Sequence, residues 1–245
     1  MCRMIAAVGG FPVSRLAEGL RAMAVNANEG HEHELTALGD RFQHDSGWGA
    51  VFRAGAGLER VRSAAPCFRD PGFRTLGEVR SDLVVLHARR AKNPRTISTV
   101  NTHPFTVRWR GEEWAFCHNG EVRDTGQLTR DPALAPEGST DSELLFFHVL
   151  TALDGGGGPG ELTAVLSRIR DFTCVNCLLV RPSSILVSTR RAPDSTTPRY
   201  YTMWRADGEG PAGRFALVSS EPVRELADGW RPVEDGSTLA LTIPR

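Results

Sequence analysis

The stretch Met1-Cys2-Arg3-Met4-Ile5-Ala6-Ala7-Val8-Gly9-Gly10 opens the chain and governs how the remainder is interpreted. The apolar run at residues 4–8, followed by two glycines, predicts a buried strand that ends in a turn. Removal of Met1, which the small side chain of Cys2 permits, would leave a thiol and a free α-amine on one residue. A thiol is the best side-chain nucleophile near neutral pH, and the amine can accept its proton. These residues alone nevertheless favour the simpler interpretation, an ordinary buried cysteine near the end of the chain.

The composition restricts the classes of protein to which the chain can belong. It has 245 residues, of which 40% are hydrophobic, so it can build the core of one large domain or two small ones. No linker divides it, and we expect a single domain over residues 1–245. The 29 basic and 29 acidic residues give zero formal charge, without the excess expected for binding to nucleic acid or an anionic membrane. No apolar run is long enough to span a membrane, and the first residues make a poor signal peptide.

The five cysteines are an odd number without regular spacing, which favours reduced thiols in the cytoplasm. Cys174 and Cys177 have the C-x-x-C spacing of a redox or metal-binding pair. They lie in an apolar run that predicts a buried strand, however, and side chains three apart on a strand point to opposite faces. We therefore interpret both as core residues.

Hydrophobic periodicity predicts a mixture of strands and helices. Strands are predicted at residues 4–8, 47–52, 83–87, 105–108, 114–117, 172–180, 185–189, 200–204, 215–218 and 238–242. Helices are predicted at 13–25, 141–153 and 162–169, with a glycine-rich loop at 155–160. Because the order shows no regular βαβ alternation, two antiparallel sheets flanked by helices fit better than a parallel doubly wound sheet.

Polar clusters follow several of these apolar runs. Glycines on both sides of Trp48, in His44-Asp45-Ser46-Gly47-Trp48-Gly49, suggest a backbone pressed close to another segment, although a tight turn with a core tryptophan is the simpler interpretation. Arg89, in His87-Ala88-Arg89-Arg90-Ala91, follows a predicted strand and is placed to bind a carboxylate through its planar fork of donors. A surface arginine pair is the alternative.

Two further clusters have both a structural and a chemical interpretation. Asn119-Gly120 is first of all a turn signal, but its amide and backbone N–H groups can also stabilise an oxyanion. Thr140 and Asp141 open the predicted helix at 141–153 and can cap it, with Glu143 completing a capping-box pattern. A carboxylate at this position could instead bind an ammonium group.

Together the clusters match the needs of one substrate, an amide that carries an α-amino acid head. The Cys2 thiolate would attack the amide carbonyl, and Asn119 and Gly120 would hold the oxyanion. Arg89 would bind the α-carboxylate and Asp141 the α-ammonium.

These residues, in this order, resemble the class II glutamine amidotransferase domain of the N-terminal nucleophile (Ntn) hydrolases. The resemblance rests on the six ordered pieces Met1-Cys2-Arg3, 44–49, 87–91, Asn101-Thr102-His103-Pro104-Phe105, His118-Asn119-Gly120 and Ser139-Thr140-Asp141-Ser142-Glu143, and extends to the last strands. It implies an α+β fold, a four-layer αββα sandwich of two antiparallel sheets.

The resemblance also implies roles for individual residues. Cys2 would be the nucleophile after loss of Met1, with Asn119 and Gly120 as oxyanion hole. Arg89 and Asp141 would bind the substrate head, and the matched pieces add Trp48, His103 and Thr140 as substrate contacts. The reaction would pass through a γ-glutamyl thioester, and neither a metal nor an organic cofactor is implied.

Within the family the chain is similar to the stand-alone branch that includes the γ-glutamyl amidohydrolase of ergothioneine biosynthesis. It departs from that branch at Ala91-Lys92-Asn93-Pro94, where Ala-Thr-x-Gly is common, so that Lys92 replaces a hydroxyl group. Since no synthase domain follows, we expect hydrolysis of a small γ-glutamyl amide, in the cytoplasm.

Three alternatives stay open at this point. The chain could be a glutaminase subunit that supplies ammonia to a separate synthase, or an inactive family member kept as a binding protein. His31-Glu32-His33-Glu34 could hold a metal ion, although an exposed polar loop is the favoured interpretation of that segment.

Overall fold

The computed structural model describes residues 2–28 and 32–243. The strands are β1 (Cys2–Gly9), β2 (Trp48–Ala54), β3 (Gly57–Ser63), β4 (Leu83–Arg89), β5 (Phe105–Trp109), β6 (Glu112–Val122), β7 (Phe172–Arg181), β8 (Ser184–Ser188), β9 (Trp204–Gly210), β10 (Gly213–Ser219), β11 (Arg231–Pro232) and β12 (Thr238–Thr242). The α-helices are α1 (Val13–Ala24), α2 (Pro71–Arg74), α3 (Asp141–Leu153) and α4 (Pro159–Ser167). Short 3-10 helices lie at Thr36–Phe42, Thr75–Glu78, Pro94–Thr96 and Thr125–Gln127.

The strands form two antiparallel sheets. The seven-stranded sheet has the order β11-β9-β10-β1-β4-β2-β3, and the five-stranded sheet has the order β12-β8-β7-β6-β5. The chain therefore enters the middle of the larger sheet with its first strand, and β1 pairs with β10 on one side and β4 on the other. Burial on both faces explains why β1 is a continuous apolar run rather than an alternating one.

Three buried apolar layers separate the sheets and helices. Ile5 and Ala7 of β1 face α1, where Leu16 and Leu20 pack against them. The alternate residues of β1 face the second sheet, in a layer formed by Met4, Ala6, Val8, Ala115, Cys117, Leu178 and Val180 among others. The far face of the second sheet packs on α3 and α4 through residues that include Phe116, Leu179, Leu145 and Leu162. The order helix, sheet, sheet, helix confirms the predicted α+β sandwich of four layers.

Most predicted elements are confirmed with small shifts of their ends. The helix predicted at 141–153 coincides with α3, and the strand predicted at 238–242 coincides with β12. The glycine-rich loop is shorter than predicted because α4 already begins at Pro159, which suits the first helical turn. Arg110 and Gly111 both have positive φ, as a two-residue hairpin turn between β5 and β6 requires.

Two local predictions are wrong. The strand predicted at 200–204 begins only at Trp204, because Tyr200 and Tyr201 lie in a turn where both rings are buried among other aromatic groups. Asn119-Gly120 is not a turn: both residues lie inside β6 and pair with Asn176 and Val175 of β7.

The cysteine interpretation holds for the pair at the C-x-x-C spacing. Cys174 and Cys177 are buried and free on β7, and they belong to different apolar clusters. None of the helices within residues 2–28 and 32–243 combines the length and apolar character needed to cross a membrane.

Candidate active site

The candidate site lies where β1 and β4 of the larger sheet end against β6 of the smaller one. Cys2 is the cross-strand partner of Arg89 in the β1–β4 pair, so the two side chains share a face of the sheet. That face is the one that looks toward the second sheet, since Cys2 continues the alternation of Met4 and Ala6. Both side chains are 6% exposed, and the pairing alone brings the predicted nucleophile beside the predicted carboxylate-binding group.

Asn119 connects the second sheet to the nucleophile. The backbone N–H of Cys2 donates a 2.7 Å hydrogen bond to its Oδ1 atom. Asn119 is completely buried, and its Nδ2 group has no hydrogen-bond partner within the described residues. A buried amide donor without a partner is costly, so it marks a position where a ligand oxygen would be bound.

The next residue of β6 must be a glycine. Gly120 has a φ of +142°, and a Cβ atom there would overlap the carbonyl oxygen of Cys174 on the neighbouring strand. The strand pairing shifts register between Gly120 and Val122, which is a β-bulge. Bulges of this kind redirect a strand next to functional sites.

His118, just before Asn119, connects β6 to α3 and to β7 through its two ring nitrogens. Its Nε2 lies 3.1 Å from the carbonyl oxygen of Cys174, which can only accept, so Nε2 must donate. Its Nδ1 then accepts from the Ser142 hydroxyl at 2.9 Å, which ties β6 to the first turn of α3. Burial lowers the pKa of His118, in agreement with a neutral ring.

A cavity of about 210 Å³ opens in front of these groups. It is lined by Cys2, Arg89, Arg90, Ala91, Lys92, Asn93, Thr96, His103, His118, Gly120, Glu121, Ser139, Thr140, Asp141 and Ser142. Arg89 and Asp141 bring a cation and an anion into one small space, as an amino acid head would require. A larger groove of about 940 Å³ lies elsewhere, but neither cysteine nor histidine lines it.

The acidic side of the cavity is built by the start of α3. Asp141 accepts a 2.8 Å hydrogen bond from the backbone N–H of Val122 through Oδ2. Thr140 is the N-cap, and its hydroxyl accepts from the backbone N–H of Glu143 at 3.2 Å. The structure thus confirms that Thr140 caps the helix. Thr140 also lines the cavity, where a ligand could contact it. Glu143 turns away to accept from the backbone N–H groups of Glu137 and Gly138.

Arg89 is held in place by a residue that the sequence analysis missed. Its two terminal nitrogens donate to the carbonyl oxygen and the hydroxyl of Thr96, both at 3.1 Å. A guanidinium has five N–H donors, so further ones remain for a ligand. Burial lowers the pKa of Arg89, while the charges of Cys2 and Asp141 raise it.

Lys92 stands where a threonine is common in the family branch, and the hydroxyl that Arg89 contacts in this chain comes from Thr96 instead. Both residues line the cavity. Lys92 itself forms an ion pair with Glu121 at the edge of the cavity. The sequence signal was Asn93-Pro94, where Asn93 caps the 3-10 helix Pro94–Thr96 that carries Thr96.

The electrostatics of the site single out Cys2 among the cysteines. Burial works to raise the pKa of its thiol, but the charge of the nearby His87 ring and smaller effects, among them a hydrogen bond from the Arg90 backbone, together outweigh burial and lower the pKa to about 6. Burial raises the pKa of Cys67 to about 12 and that of Cys177 well above the ordinary range. His87 was within reach of the sequence analysis, because it is two residues before Arg89 and shares its strand face.

His103 reaches the site from the loop that precedes β5. Its ring is 3% exposed, lines the cavity, and lies 4.2 Å from the His87 ring between centroids. Burial lowers the pKa of His103 well below its usual value.

Trp48 is placed away from the site, contrary to the role predicted for it. It pairs with Ala88, whose side chain faces α1, so the indole lies in the apolar layer between the larger sheet and α1, the helix-side core, and not in the cavity. Its Nε1 donates to Asp70 at 2.8 Å, and its ring packs edge-on against Phe73.

The neighbouring glycines do meet another segment closely, as their pattern suggested. A Cβ atom on Gly49 would overlap the carbonyl oxygen of His103, and one on Gly47 would crowd the Thr102 hydroxyl. The loop that carries His103 is thereby pressed against β2.

Two sequence predictions involve residues outside the described ranges. Removal of Met1 concerns a residue outside them, and so does the His31 part of the histidine–glutamate segment. In the same segment, His33 contacts Glu221 through Nε2 at 3.3 Å and accepts from the backbone N–H of Leu35 through Nδ1, so both of its ring nitrogens are engaged.

The sequence of the chain also matches a known protein family. The profile described as "Glutamine amidotransferases class-II" matches residues 19–173. The chain is 34% identical over 131 residues to YafJ of Escherichia coli (strain K12), provisionally described as a glutamine amidotransferase, a match that covers 51% of this chain and 50% of that protein. It is 29% identical over 201 residues to the gamma-glutamyl-hercynylcysteine sulfoxide hydrolase of Mycobacterium tuberculosis (strain CDC 1551 / Oshkosh), covering 80% of this chain and 75% of the relative.

The fold is also similar to that of a solved structure. Glutamine phosphoribosylpyrophosphate amidotransferase from B. subtilis superposes with a TM-score of 0.64 at 16% identity, over 98% of this chain and 49% of that one. At this identity the similarity concerns the fold alone. The matched regions span about half the length of YafJ and of the B. subtilis enzyme.

Proposed function

Because this chain belongs to the class II glutamine amidotransferases, we propose that it hydrolyses a γ-glutamyl amide with Cys2 as nucleophile. The substrate is glutamine or a small molecule with a γ-glutamyl group, and the products are glutamate and ammonia or an amine. The relative named as a gamma-glutamyl-hercynylcysteine sulfoxide hydrolase, which matches over most of both chains, supports the small γ-glutamyl compound.

The observation that carries the proposal is the meeting of Cys2 and Asn119. The thiol lines a cavity and the amide Nδ2 of Asn119 is buried without a partner in the described chain, while Oδ1 is fixed by the Cys2 backbone. An attacked carbonyl carbon at the sulfur would place its oxygen near this donor. Stabilisation of that developing charge is commonly the largest single contribution to catalysis of this kind.

The charges of the cavity support an α-amino acid head. Arg89 is preorganised by Thr96 and suits a carboxylate, and Asp141 is fixed through one carboxylate oxygen and retains the other for an ammonium. A zwitterionic group would thereby be oriented with its side chain directed at Cys2. Such positioning converts an encounter into an effectively intramolecular attack.

The proposed reaction has two steps. The Cys2 sulfur attacks the γ-carbonyl carbon, its proton passes to the α-amine freed by removal of Met1, and the tetrahedral oxyanion is held by Asn119 and Gly120. Collapse of this intermediate breaks the C–N bond, and the leaving amine takes the proton from the α-ammonium. Water then attacks the γ-glutamyl thioester and regenerates the thiol with release of glutamate.

The direct test is glutamate release from glutamine and from a panel of γ-glutamyl amides. We expect turnover by the parent protein, loss of turnover in Cys2→Ala and near-normal turnover in the control Cys67→Ala, whose thiol lies in the helix-side core. Intact-mass measurement should show the protein without Met1. A Cys2→Ala variant as fast as the parent would contradict the proposal.

Two outcomes separate the alternatives. Turnover of glutamine only after a synthase is added would favour an ammonia-supplying subunit. Labelling by a glutamine-like electrophile should occur at Cys2; modification of Cys117 or Cys174 instead would overturn the assignment.

A further inference from the structure

Cys2, His87 and His103 form a compact group that we call the thiol–imidazole cluster. One ligand atom from each, the sulfur and two ring nitrogens, all lie within 4.8 Å of one another. All three side chains are buried, with His87 at 0% exposed. They come from β1, β4 and the loop before β5, so only the folded protein brings them together.

The ring nitrogens of His87 and His103 are the unusual feature of this cluster. None of the ring nitrogens of His87 and His103 has a hydrogen-bond partner that satisfies standard geometry within the described chain. Buried polar atoms normally find partners, and a cluster of four such nitrogens beside a thiol is an exception that requires an explanation. His118 offers the contrast, since both of its nitrogens are engaged.

We propose that the thiol–imidazole cluster binds a divalent transition-metal ion, with Zn²⁺ as the best fit, through the Cys2 sulfur and one nitrogen each of His87 and His103. Open zinc sites have three protein ligands and a free fourth position, and thiolate and imidazole are both ligands that suit this borderline-soft ion. This inference goes beyond the proposed hydrolase activity and does not depend on it.

The geometry needs only a modest adjustment. Zinc bonds of about 2.0–2.3 Å in a tetrahedron place ligand atoms about 3.4 Å apart, so the widest separation in the cluster must close by at most roughly 1.4 Å. Rotation of two side chains can supply such a shift. The open position faces the cavity, because Cys2 and His103 line it, and this provides an entry path for the ion.

The charges nearby do not prevent binding of a cation. Arg89 lies beside Cys2 and keeps its positive charge, since its partner Thr96 is neutral, but Asp141 contributes a carboxylate to the same cavity. A bound thiolate supplies a further negative charge. Since the metal would occupy the sulfur electron pair needed for attack, it would act as a reversible inhibitor of thiol chemistry at Cys2.

The test uses metal-free protein and Co²⁺ as an optical probe, with Zn²⁺ as competitor. We expect one Co²⁺ per chain, a thiolate-to-cobalt charge-transfer band, and displacement of both by Zn²⁺. Cys2→Ser should remove the band, and His87→Gln and His103→Gln should each weaken Zn²⁺ binding by more than about 10-fold. The control His148→Gln changes a histidine that contacts Thr129 and should bind as the parent does.

A second measurement guards against variants that fail to fold. Zn²⁺ should raise the midpoint of thermal unfolding of the parent protein and leave that of Cys2→Ser unchanged, because only ligands that bind the native state stabilise it. Absence of the charge-transfer band, or equal Zn²⁺ binding by the parent and Cys2→Ser, would overturn the proposal. Neither readout uses substrate, so failure of the metal site is distinguishable from failure of the hydrolase.

Discussion

The backbone nitrogen of Cys2 and the side-chain oxygen of Asn119 are joined by a 2.7 Å hydrogen bond that crosses from one sheet to the other. While the Cys2 nitrogen donates, it can be met only by the amide oxygen, and this fixes the orientation of the amide. The NH2 end therefore has a fixed direction, and it is buried without a partner in the described residues. One hydrogen bond thus holds the amide beside the proposed nucleophile and leaves its donor available to the proposed oxyanion.

Replacement of Asn119 by aspartate separates these two effects. An Asn119→Asp side chain still accepts from the Cys2 backbone, but it loses the donor and adds a negative charge where the oxyanion forms. We expect kcat for γ-glutamyl amide hydrolysis to fall by about 100- to 1000-fold, the usual cost of removing an oxyanion donor. The measurement is steady-state glutamate release, with circular dichroism to confirm the fold.

The matched control makes the same change one strand away. Asn176 pairs with Asn119 in the β6–β7 ladder, and its side chain bonds the backbone of Tyr201 and Arg190. Asn176→Asp should lower the unfolding midpoint with little change in kcat. Similar kcat values for Asn119→Asp and the parent would remove the amide from the proposed mechanism.

Arg89→Lys tests the binding of the substrate carboxylate. Lysine keeps the positive charge but cannot donate to both the carbonyl and hydroxyl of Thr96 while it also binds a ligand bidentately. We expect KM for a γ-glutamyl amide to rise by about 10- to 100-fold, or about 1.4–2.8 kcal/mol, with a smaller change in kcat.

A substrate analogue without the α-carboxylate provides the control for this variant. The parent should discriminate strongly against the analogue, and Arg89→Lys should lose most of that discrimination. Asp141→Asn, which keeps an acceptor for the Val122 N–H, should instead lose discrimination against an analogue without the α-amine. Unchanged discrimination in Arg89→Lys would assign the carboxylate to another group.

The parts of the site that could be predicted from the sequence are those carried by regular elements. The run at residues 4–8 fixes β1, and the polar start of α3 fixes Thr140 and Asp141, because each follows from a local pattern. The resemblance added the order of the pieces, and so the association of Cys2 with Asn119 across two sheets. Local patterns alone favoured a turn at Asn119-Gly120, because the β6 bulge depends on pairing with β7.

The remaining features depend on contacts that no local pattern specifies. Thr96 meets Arg89, and His103 meets His87, only because the loop between β4 and β5 folds back over the strand ends. The sequence analysis expected Trp48 to contact substrate because its glycine neighbours indicate a close approach of another segment. That approach involves the backbone of the loop that carries His103, whereas the indole of Trp48 faces α1.

Gly49 gives a prediction about that close approach. A methyl group at Gly49 would overlap the carbonyl oxygen of His103, and a backbone atom cannot move aside as a flexible side chain can. We expect Gly49→Ala to lower the free energy of unfolding by about 1–3 kcal/mol, the range found for overpacked cores. Urea denaturation provides the measurement.

The control is Gly160→Ala in the first turn of α4. No atom lies within 4 Å of a Cβ atom at Gly160, and alanine favours a helix by up to about 1 kcal/mol over glycine. This variant should be as stable as the parent or more stable. If Gly49→Ala unfolds at the same urea concentration as the parent, the loop that carries His103 is not pressed on β2.

Glu221 provides a prediction about pH and stability. It is a buried carboxylate 2.5 Å from the Arg3 guanidinium, and His33 and Asn28 also contact it. Burial works to raise its pKa, but Arg3, His33 and Asn28 together outweigh burial, so the pKa in the folded state is lowered. A depressed carboxylate pKa means that the folded state binds the proton more weakly than the unfolded chain does.

Ionised Glu221 stabilises the folded protein at neutral pH. The stability that ionised Glu221 contributes is fully present above the unfolded-state pKa of about 4.3, and it is lost as the pH falls through the lower folded-state pKa. Glu221→Gln leaves Arg3 without its counter-ion and should cost about 3–5 kcal/mol at neutral pH. Below about pH 4 the difference between parent and variant should shrink, because protonation neutralises the parent in the same way.

Chemical denaturation of both proteins from pH 3 to 8 measures this difference. Glu209→Gln, at an exposed position on β9, is the matched control and should follow the parent at every pH. A parent–variant difference that stays constant down to pH 3 would mean that Glu221 binds its proton equally well in the folded and unfolded states, which would contradict the lowered pKa. A difference that grows on acidification would reverse the sign and contradict the ion pair with Arg3 as the cause.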